Sequence, residues 1–331
     1  MFLHRKCLKM PVMNRYFSLR QTFLLGIIAL IFALNSCQPN VVSQKDEPIP
    51  SAVNPDTSPV QTWHYAHIVG RNIRIKDYFR YMDSLVSAYD SLVDYDLTHH
   101  LIVRANPWII DTFENTDYYR QRKKGVFVYD QQKLEVLKKG DTLFIPTDTI
   151  AKQIEQKQDK TVLDINIPEY TLRIIEDGDT IGSYLVRVGQ NRIRQWSVYE
   201  KMSNLRTRTG SGKIVTVYFK TFFLDPVSGK NYYKTARDDG DTTLMPLMPW
   251  IEPEINGECN GQLIHPTTNE TTLGKAYSNG CIGTAEGDMW RIYFYAPMGT
   301  KVRIRYNLNV KDANGESKRL KDIYGKKPKV G

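Results

Sequence analysis

The chain has 331 residues, of which 41% are hydrophobic and 24% are charged, and its formal net charge is +9. This composition is typical of a folded protein with one large domain or two ordinary ones, and it excludes disorder over most of the length. Five basic residues and no acid precede Cys37, so the rest of the chain carries 9 − 5, or +4. That charge is too small to indicate a nucleic-acid partner.

The start of the chain has the pattern of an export signal. Basic residues precede the apolar run FLLGIIALIFAL at 23–34, which is too short to span a bilayer comfortably. The run ends in LNSC, which resembles the lipobox of bacterial lipoproteins, where the cysteine is lipidated and becomes the mature N-terminus. We therefore predict a signal peptide over 1–36, lipidation at Cys37 and a lipid-anchored envelope protein, on the periplasmic side of the outer membrane. An uncleaved anchor and a buried helix are the alternatives.

Residues 37–61 are rich in Pro, Ser, Asn and Asp and have no periodicity, which predicts a flexible tether. In 78–93, apolar residues then recur at steps of three and four, the spacing of an amphipathic helix. The runs LIVRANPWII, KGVFVYD and KLEVLKKGDTLFIPT that follow are β-like, with Gly, Pro and Asp between them. We predict a small α+β domain over 62–155.

The end of this domain has two interpretations. The segment LKKGDTLFIP resembles the closing strand of a LysM carbohydrate-binding repeat, which implies a wall-binding role for 62–155. A plain β-hairpin with a Gly-Asp turn explains the same residues equally well.

The polar segment KQIEQKQDK at 152–160 marks a boundary, after which the pattern is mainly β. Short apolar runs surround an Asp-Gly turn at Asp177 and Gly178, and KIVTVYFKTFFL and GTKVRIRYNLNV supply further strands. We predict a mainly-β domain over 156–310, a sandwich or barrel, followed by a basic tail over 311–331. The insertion LMPLMPWIEPEINGEC is expected to be a loop that covers a groove, or packing filler.

The strongest chemical signal is the segment IHPTTNETTLGKAYSNGCIG at 264–283, which contains His265 and Cys281. A cysteine on a Ser/Asn/Gly turn has the exposure and backbone freedom of a nucleophile. A thiol is mostly protonated at neutral pH and needs a neighbouring base, and His265 is the only histidine after His100. A disulfide between Cys259 and Cys281 is the competing interpretation, because an oxidising envelope permits it.

His265, the loop of this length and SNGC at 278–281 resemble the active-site motif of the L,D-transpeptidase family of the YkuD type. TLRIIEDGDTIGSYLVRVG and GTKVRIRY are similar to the strands that open and close that catalytic domain, and the resemblance covers about 160–308. It implies that the mainly-β domain is an L,D-transpeptidase catalytic domain. With the domain predicted over 62–155, the expected fold is an α+β N-terminal domain followed by a mainly-β L,D-transpeptidase catalytic domain. The resemblance also implies peptidoglycan stem peptides as substrate, with no metal or other cofactor.

The same resemblance implies roles for individual residues. Cys281 is the nucleophile that forms a thioester with a stem peptide, and His265 is the base. Asn279 assists, and the backbone around Gly280, with Ser278 and Pro266, supplies oxyanion donors or orients the imidazole.

Three positions depart from the family pattern. Asn279 stands where the family has a second histidine, Gly283 where it usually has Arg or Asn, and Pro266 where Gly is usual. An active transpeptidase is the main hypothesis. A catalytically inactive peptidoglycan-binding lipoprotein and an L,D-carboxypeptidase are the alternatives.

Other candidate sites are weaker. His64 and His67 would share a helix face, but no further ligand lies near them in the sequence, so we predict no metal site there. His99 and His100 would point apart in a strand and are expected at the surface. TRTGSGK lacks the spacing of a phosphate-binding loop and is expected to be a turn before a strand.

Overall fold

A computed structural model of the chain describes residues 63–196, 201–219, 230–312 and 314–330. The predicted signal peptide, the lipidation site at Cys37 and the tether up to residue 61 lie outside the described residues. All described residues belong to one compact unit. None of the described helices is both long and apolar enough to cross a membrane.

The part before residue 160 combines five helices with four short strands. The predicted amphipathic helix is confirmed, and it buries Tyr78, Met82 and Leu85 on one face. The helix ends at Tyr89, before the end of the apolar pattern in the sequence. Leu92, which belongs to that pattern, is exposed. The elements are β1 (Trp63–Ile68), β2 (Ile73–Arg74), α1 (Ile75–Tyr89), α2 (His99–Ala105), α3 (Trp108–Glu114), α4 (Tyr118–Lys123), β3 (Glu135–Leu137), β4 (Thr142–Pro146) and α5 (Asp148–Asp159).

Two runs that the sequence favoured as strands are not strands. LIVRANPWII lies in α2 and α3, and KGVFVYD has no regular structure. The hydroxyl of Thr98 accepts a hydrogen bond from the amide of Leu101 and so caps α2, while Pro107 directly precedes α3. The sequence of a short, fully buried apolar run does not distinguish a helix from a strand. The residues that begin α2 and α3 favour the helices here.

The Gly-Asp hairpin is also wrong, although its two strands exist. β3 pairs with β2, and β4 pairs with β1, so the two strands on either side of Gly140 are not partners. The turn instead binds another part of the chain: the amide of Gly140 donates to the carbonyl of Val69 at 2.8 Å. The polar segment after β4 is helix α5, capped by Thr147.

The part after residue 160 is built on an eight-stranded mixed sheet. The elements are β5 (Val162–Asn166), β6 (Thr171–Glu176), β7 (Asp179–Leu185), β8 (Val188–Gly189), β9 (Arg192–Trp196), β10 (Lys201–Asn204), β11 (Gly210–Tyr218), β12 (Lys234–Ala236), β13 (Thr242–Leu244), β14 (Trp250–Ile255), β15 (Ile264–Pro266), β16 (Ala276–Ser278), β17 (Ile282–Thr284), α6 (Glu286–Tyr295), β18 (Lys301–Arg305), β19 (Asn309–Lys311), β20 (Ser317–Arg319) and β21 (Lys329–Val330). The strand order of the sheet is β17-β15-β14-β11-β18-β5-β6-β7. The predicted turn at Asp177 and Gly178 joins β6 to β7, and both residues have positive φ.

The insertion that was expected to be a loop contains an interior strand of this sheet. β14 lies between β11 and β15 and buries Ile251 and Ile255. The strand contains Pro253, although proline is disfavoured in a central strand because it removes a ladder hydrogen bond. The sheet accommodates the proline opposite Ile214, where the register between β11 and β14 shifts.

An aromatic cluster joins the N-terminal helices to α6, the helix that follows the predicted nucleophile. Phe113 of α3 lies 4.2 Å from Trp290 and 4.6 Å from Tyr78 between ring centroids, and Phe294 also contacts Phe113. All four side chains are fully buried. The first part of the chain therefore supports the position of α6.

Candidate active site

The predicted nucleophile and base lie at two neighbouring parallel strands, β17 and β15, at one edge of the sheet. β15 pairs with β17 in a register that sets His265 opposite Gly283, and Cys281 directly precedes β17. Side chains alternate along a strand, so Cys281 and Gly283 face the same side, and this is also the side of His265. The fold thus brings Cys281 and His265 to one corner although fifteen residues separate them in the chain.

A tight turn presents Cys281. Gly280 has φ +115, a conformation that favours glycine, and its carbonyl accepts a hydrogen bond from the Thr207 hydroxyl at 2.9 Å. The Ser278 hydroxyl donates to the Cys281 carbonyl and accepts from the Gly280 amide at 3.3 Å. The Gly280 amide is therefore turned toward Ser278. The Cys281 amide has no partner among the described residues, and it is the better oxyanion donor of the two.

The imidazole of His265 is fixed by one hydrogen bond and one ring contact. Its Nδ1 lies 2.9 Å from the carbonyl of Pro266, and because a carbonyl only accepts, Nδ1 carries the hydrogen. The indole of Trp250 packs against the imidazole at 4.7 Å between centroids. Burial, together with the positive charge of Arg187, lowers the pKa of His265 to about 4. The ring is thus neutral near pH 7, with Nε2 free to accept a proton.

Cys281 is a free, partly exposed cysteine, so the disulfide with Cys259 is not formed. Its Sγ lies 3.9 Å from the Gly261 carbonyl. Burial raises the pKa of the thiol above its ordinary value, while the Leu263 amide and the charge of Arg187 act in the opposite direction. At neutral pH the pair is therefore a neutral thiol and a neutral imidazole, so a nucleophilic attack by Cys281 would need His265 to take the thiol proton.

Asn279 does not share in this arrangement among the described residues. Its side chain is exposed, and its Oδ1 accepts from Nε2 of Gln190 at 3.3 Å. The imidazole of His265 is instead oriented by the Pro266 carbonyl.

Two residues at the site were not predicted. Trp250 lies in the segment interpreted as a loop, and only the pairing of β14 with β15 sets it beside His265. Arg187 forms an isolated antiparallel bridge with Gly283. No local motif marks either residue, because both reach the site through the register of distant strands.

The weaker candidates take no part in the site. His64 and His67 lie on strand β1 rather than on a helix, and they bond to Asp148 and to the hydroxyls of Tyr81 and Tyr89. His99 and His100 open helix α2, where His100 contacts the carbonyl of Phe294 at 3.2 Å. No group of three metal-ligating side chains occurs in the described ranges.

Replacement of Trp250 by alanine is expected to raise the pKa of His265 from about 4 toward 6.5, because water then reaches the ring. An NMR titration of the imidazole measures this directly. Trp63→Ala, at a partly exposed tryptophan of β1, is the control and should leave the value unchanged. An unchanged pKa in Trp250→Ala would show that the indole does not shield the base.

Comparison with known proteins agrees with this geometry. Residues 160–304 match the family model of the YkuD L,D-transpeptidase catalytic domain. A search of curated proteins finds no match.

Similar solved structures include L,D-transpeptidases from three organisms. That from Mycobacterium smegmatis has 12% identity and a TM-score of 0.31, over 44% of this chain and 58% of the other. L,D-transpeptidase 3 from Mycobacterium tuberculosis has 14% identity and a TM-score of 0.29, over 44% and 61%. That from Xylanimonas cellulosilytica has 12% identity and a TM-score of 0.32, over 75% and 100%. The chain thus spans about three fifths of the two mycobacterial proteins.

The sheet, the parallel strand pair and the family match together define a cysteine-containing catalytic domain of the YkuD type. The match assigns residues 160–304 to the YkuD L,D-transpeptidase catalytic domain.

Proposed function

We propose that the protein is an active peptidoglycan L,D-transpeptidase that forms a thioester between Cys281 and a stem peptide. The observation that carries the proposal is the free thiol of Cys281 on the same sheet face as His265, whose ring is oriented by the Pro266 carbonyl. The departures at positions 279 and 266 leave this pair intact, because the orienting acceptor is a backbone carbonyl.

The proposed reaction has two steps. In the first, Cys281 Sγ attacks the carbonyl carbon of the third stem residue while Nε2 of His265 takes the thiol proton, and the Cys281 amide donates to the oxyanion. The C–N bond then breaks, and His265 returns the proton to the departing D-alanine. In the second, the amine of another stem attacks the thioester and releases the thiol. Water as the acceptor would instead give an L,D-carboxypeptidase.

The proposal includes the cell envelope as the site of action. The lipobox-like LNSC would attach Cys37 to lipid, and the segment over 37–61 would hold the catalytic domain at a distance from the membrane.

Intact-protein mass spectrometry of the full chain in detergent tests the proposed function. Incubation with a tetrapeptide stem, or with a carbapenem, should add the mass of the acyl group to the wild type and nothing to Cys281→Ala. Adding an acceptor amine should then convert the adduct into a cross-linked peptide. Hydrolysed stem alone would identify the carboxypeptidase. A folded, reduced wild type that gains no mass with either reagent would contradict the enzyme and favour the inactive wall-binding protein.

A further inference from the structure

Arg187 extends its side chain over Gly283, next to the catalytic pair. The two residues exchange backbone hydrogen bonds of 2.8 and 3.0 Å, and Gly283 is in turn the register partner of His265. The three residues therefore stand in one row, His265 on β15, Gly283 on β17 and Arg187 between β7 and β8, and the side chains of His265 and Arg187 lie on one face. A Cβ atom at Gly283 would lie only 2.5 Å from Nε of Arg187. Glycine at this position is what leaves room for the arginine.

The guanidinium of Arg187 has few partners for a partly buried cation. Its Nε is buried without a hydrogen bond, its Nη1 donates to the Thr272 hydroxyl at 3.3 Å, and it forms no ion pair with any described residue. Buried charges are normally paired, because removal from water costs several kcal/mol. A partly buried arginine without a carboxylate, beside a nucleophile, is arranged to receive an anion from outside the chain.

We propose that Arg187 binds the terminal carboxylate of the donor stem, which makes this corner a carboxylate subsite and Arg187 a specificity-determining residue. This inference rests on the proposed function and adds to it the part of the substrate that is recognised. The residue released in the first step carries its carboxylate one carbon beyond the nitrogen of the broken bond. When the attacked carbonyl is at Cys281, that carboxylate lies within the reach of a side chain that spans Gly283.

The subsite explains why position 283 can lack a side chain. In the related domains an Arg or Asn usually follows the cysteine by two residues, and here the guanidinium comes from the opposing strand segment and lies over the same backbone position. The planar guanidinium suits a carboxylate, because it offers two parallel N–H donors. Donors with a free carboxylate directly after the scissile bond should therefore be preferred to donors in which that group is an amide.

Calorimetric titration of the full chain in the Cys281→Ala background tests the inference without any need for turnover. The probes are a synthetic tetrapeptide stem ending in D-alanine and the same peptide as its C-terminal carboxamide. With Arg187 present, the free acid should bind roughly 10- to 100-fold more tightly, the range that charge-assisted hydrogen bonds provide. Arg187→Gln should reduce this ratio to near one. Lys275→Gln, which removes an equal charge from an exposed neighbour of β8, should keep it.

A second pair of variants separates recognition from folding. Gly283→Arg alone should lose the preference, because its Cβ collides with Arg187. The double variant Arg187→Ser with Gly283→Arg relieves that collision, restores a guanidinium at the same place and should regain the preference for the free acid.

Two results would overturn the inference. One is equal binding of acid and amide by the Arg187-containing protein, and the other is absence of binding to both peptides. Neither result bears on thioester formation, because the mass gain through Cys281 is measured separately with the wild type. If that adduct forms but the acid-to-amide ratio is one, the transpeptidase proposal stands and the carboxylate subsite fails.

Discussion

Replacement of His265 by glutamine is expected to slow acylation of Cys281 by roughly 10²- to 10⁴-fold at pH 7, the usual contribution of a positioned general base. Glutamine retains a polar side chain of similar length but cannot take the thiol proton. The rate of adduct formation with a carbapenem, followed by mass spectrometry, measures the loss. His100→Gln is the matched control, since His100 is also shielded from water but contacts Phe294 rather than the site.

The pH dependence of the same rate distinguishes a base from a structural histidine. Because burial lowers the pKa of His265 to about 4, the wild-type rate should be level from about pH 8 down to about pH 5 and should fall near pH 4, where the ring becomes protonated. In His265→Gln, the rate of adduct formation depends on the fraction of Cys281 that is thiolate. It should then rise about tenfold per pH unit toward the raised pKa of Cys281.

Two outcomes would contradict this account. An inflection near pH 6.5 in the wild type would show that the ring is solvated and unperturbed. Equal rates in the wild type and in His265→Gln would show that the thiol loses its proton by another route.

The rates measured at acid pH need circular dichroism as a folding control. An unfolded chain binds a proton at His265 between pH 6.5 and 4, and the folded chain does not. Stability therefore decreases as the pH falls through that window.

The candidate pair of Cys281 and His265 could be proposed from sequence because its signal is local. Cys281 lies on a turn of small polar residues, and its carbonyl and the Gly280 carbonyl are held by Ser278 and Thr207. The Asp-Gly turn at residue 177 and the helix α1 were predicted for the same reason, since each depends on a short window of residues. Local patterns carry the motif and the elements around it.

The positions of Trp250 and Arg187 could not be predicted from the sequence, because they depend on which strands pair and in which register. Proline is disfavoured in a central strand, yet the register shift beside Ile214 accommodates Pro253 in β14. The same strand sets Trp250 beside His265. Arg187 is an ordinary residue of a strand-like run, and only the bridge to Gly283 directs it to the site. Such pairings join segments that are far apart in the chain, so no window of sequence contains both partners.

Replacement of Arg237 by methionine is expected to lower the free energy of unfolding by about 3–5 kcal/mol, the cost of leaving one member of a buried ion pair alone. Nη1 of Arg237 lies 2.6 Å from Oε1 of Glu286, and both side chains are fully buried. The other oxygen of Glu286 accepts from Gln131 at 2.8 Å and from the amide of Tyr118 at 3.1 Å. Denaturant unfolding measures the loss.

A second substitution and a control separate the buried pair from ordinary surface charge. Arg237→Met combined with Glu286→Gln should recover most of the loss, because no unpaired charge then remains. Arg122→Met breaks ion pairs with Asp239 and Asp241 that are more than one third exposed on the arginine side, and it should cost at most about 1 kcal/mol. A loss in Arg237→Met no larger than in Arg122→Met would contradict the role of the pair.

The stability of Arg237→Met should depend on pH, because the carboxyl group of Glu286 remains buried without its cation. Burial already raises the pKa of Glu286, and removal of Arg237 takes away the main opposing influence, so the folded variant holds a proton that the unfolded chain releases. The loss of unfolding free energy in Arg237→Met should therefore become smaller as the pH falls from 8 to 5.

The buried pair also lies close to the candidate active site. Glu286 begins α6 five residues after Cys281, and its partners Gln131 and Tyr118 belong to the first part of the chain. Loss of the pair should thus slow acylation as well, because the same contact that stabilises the fold holds the helix behind the nucleophile.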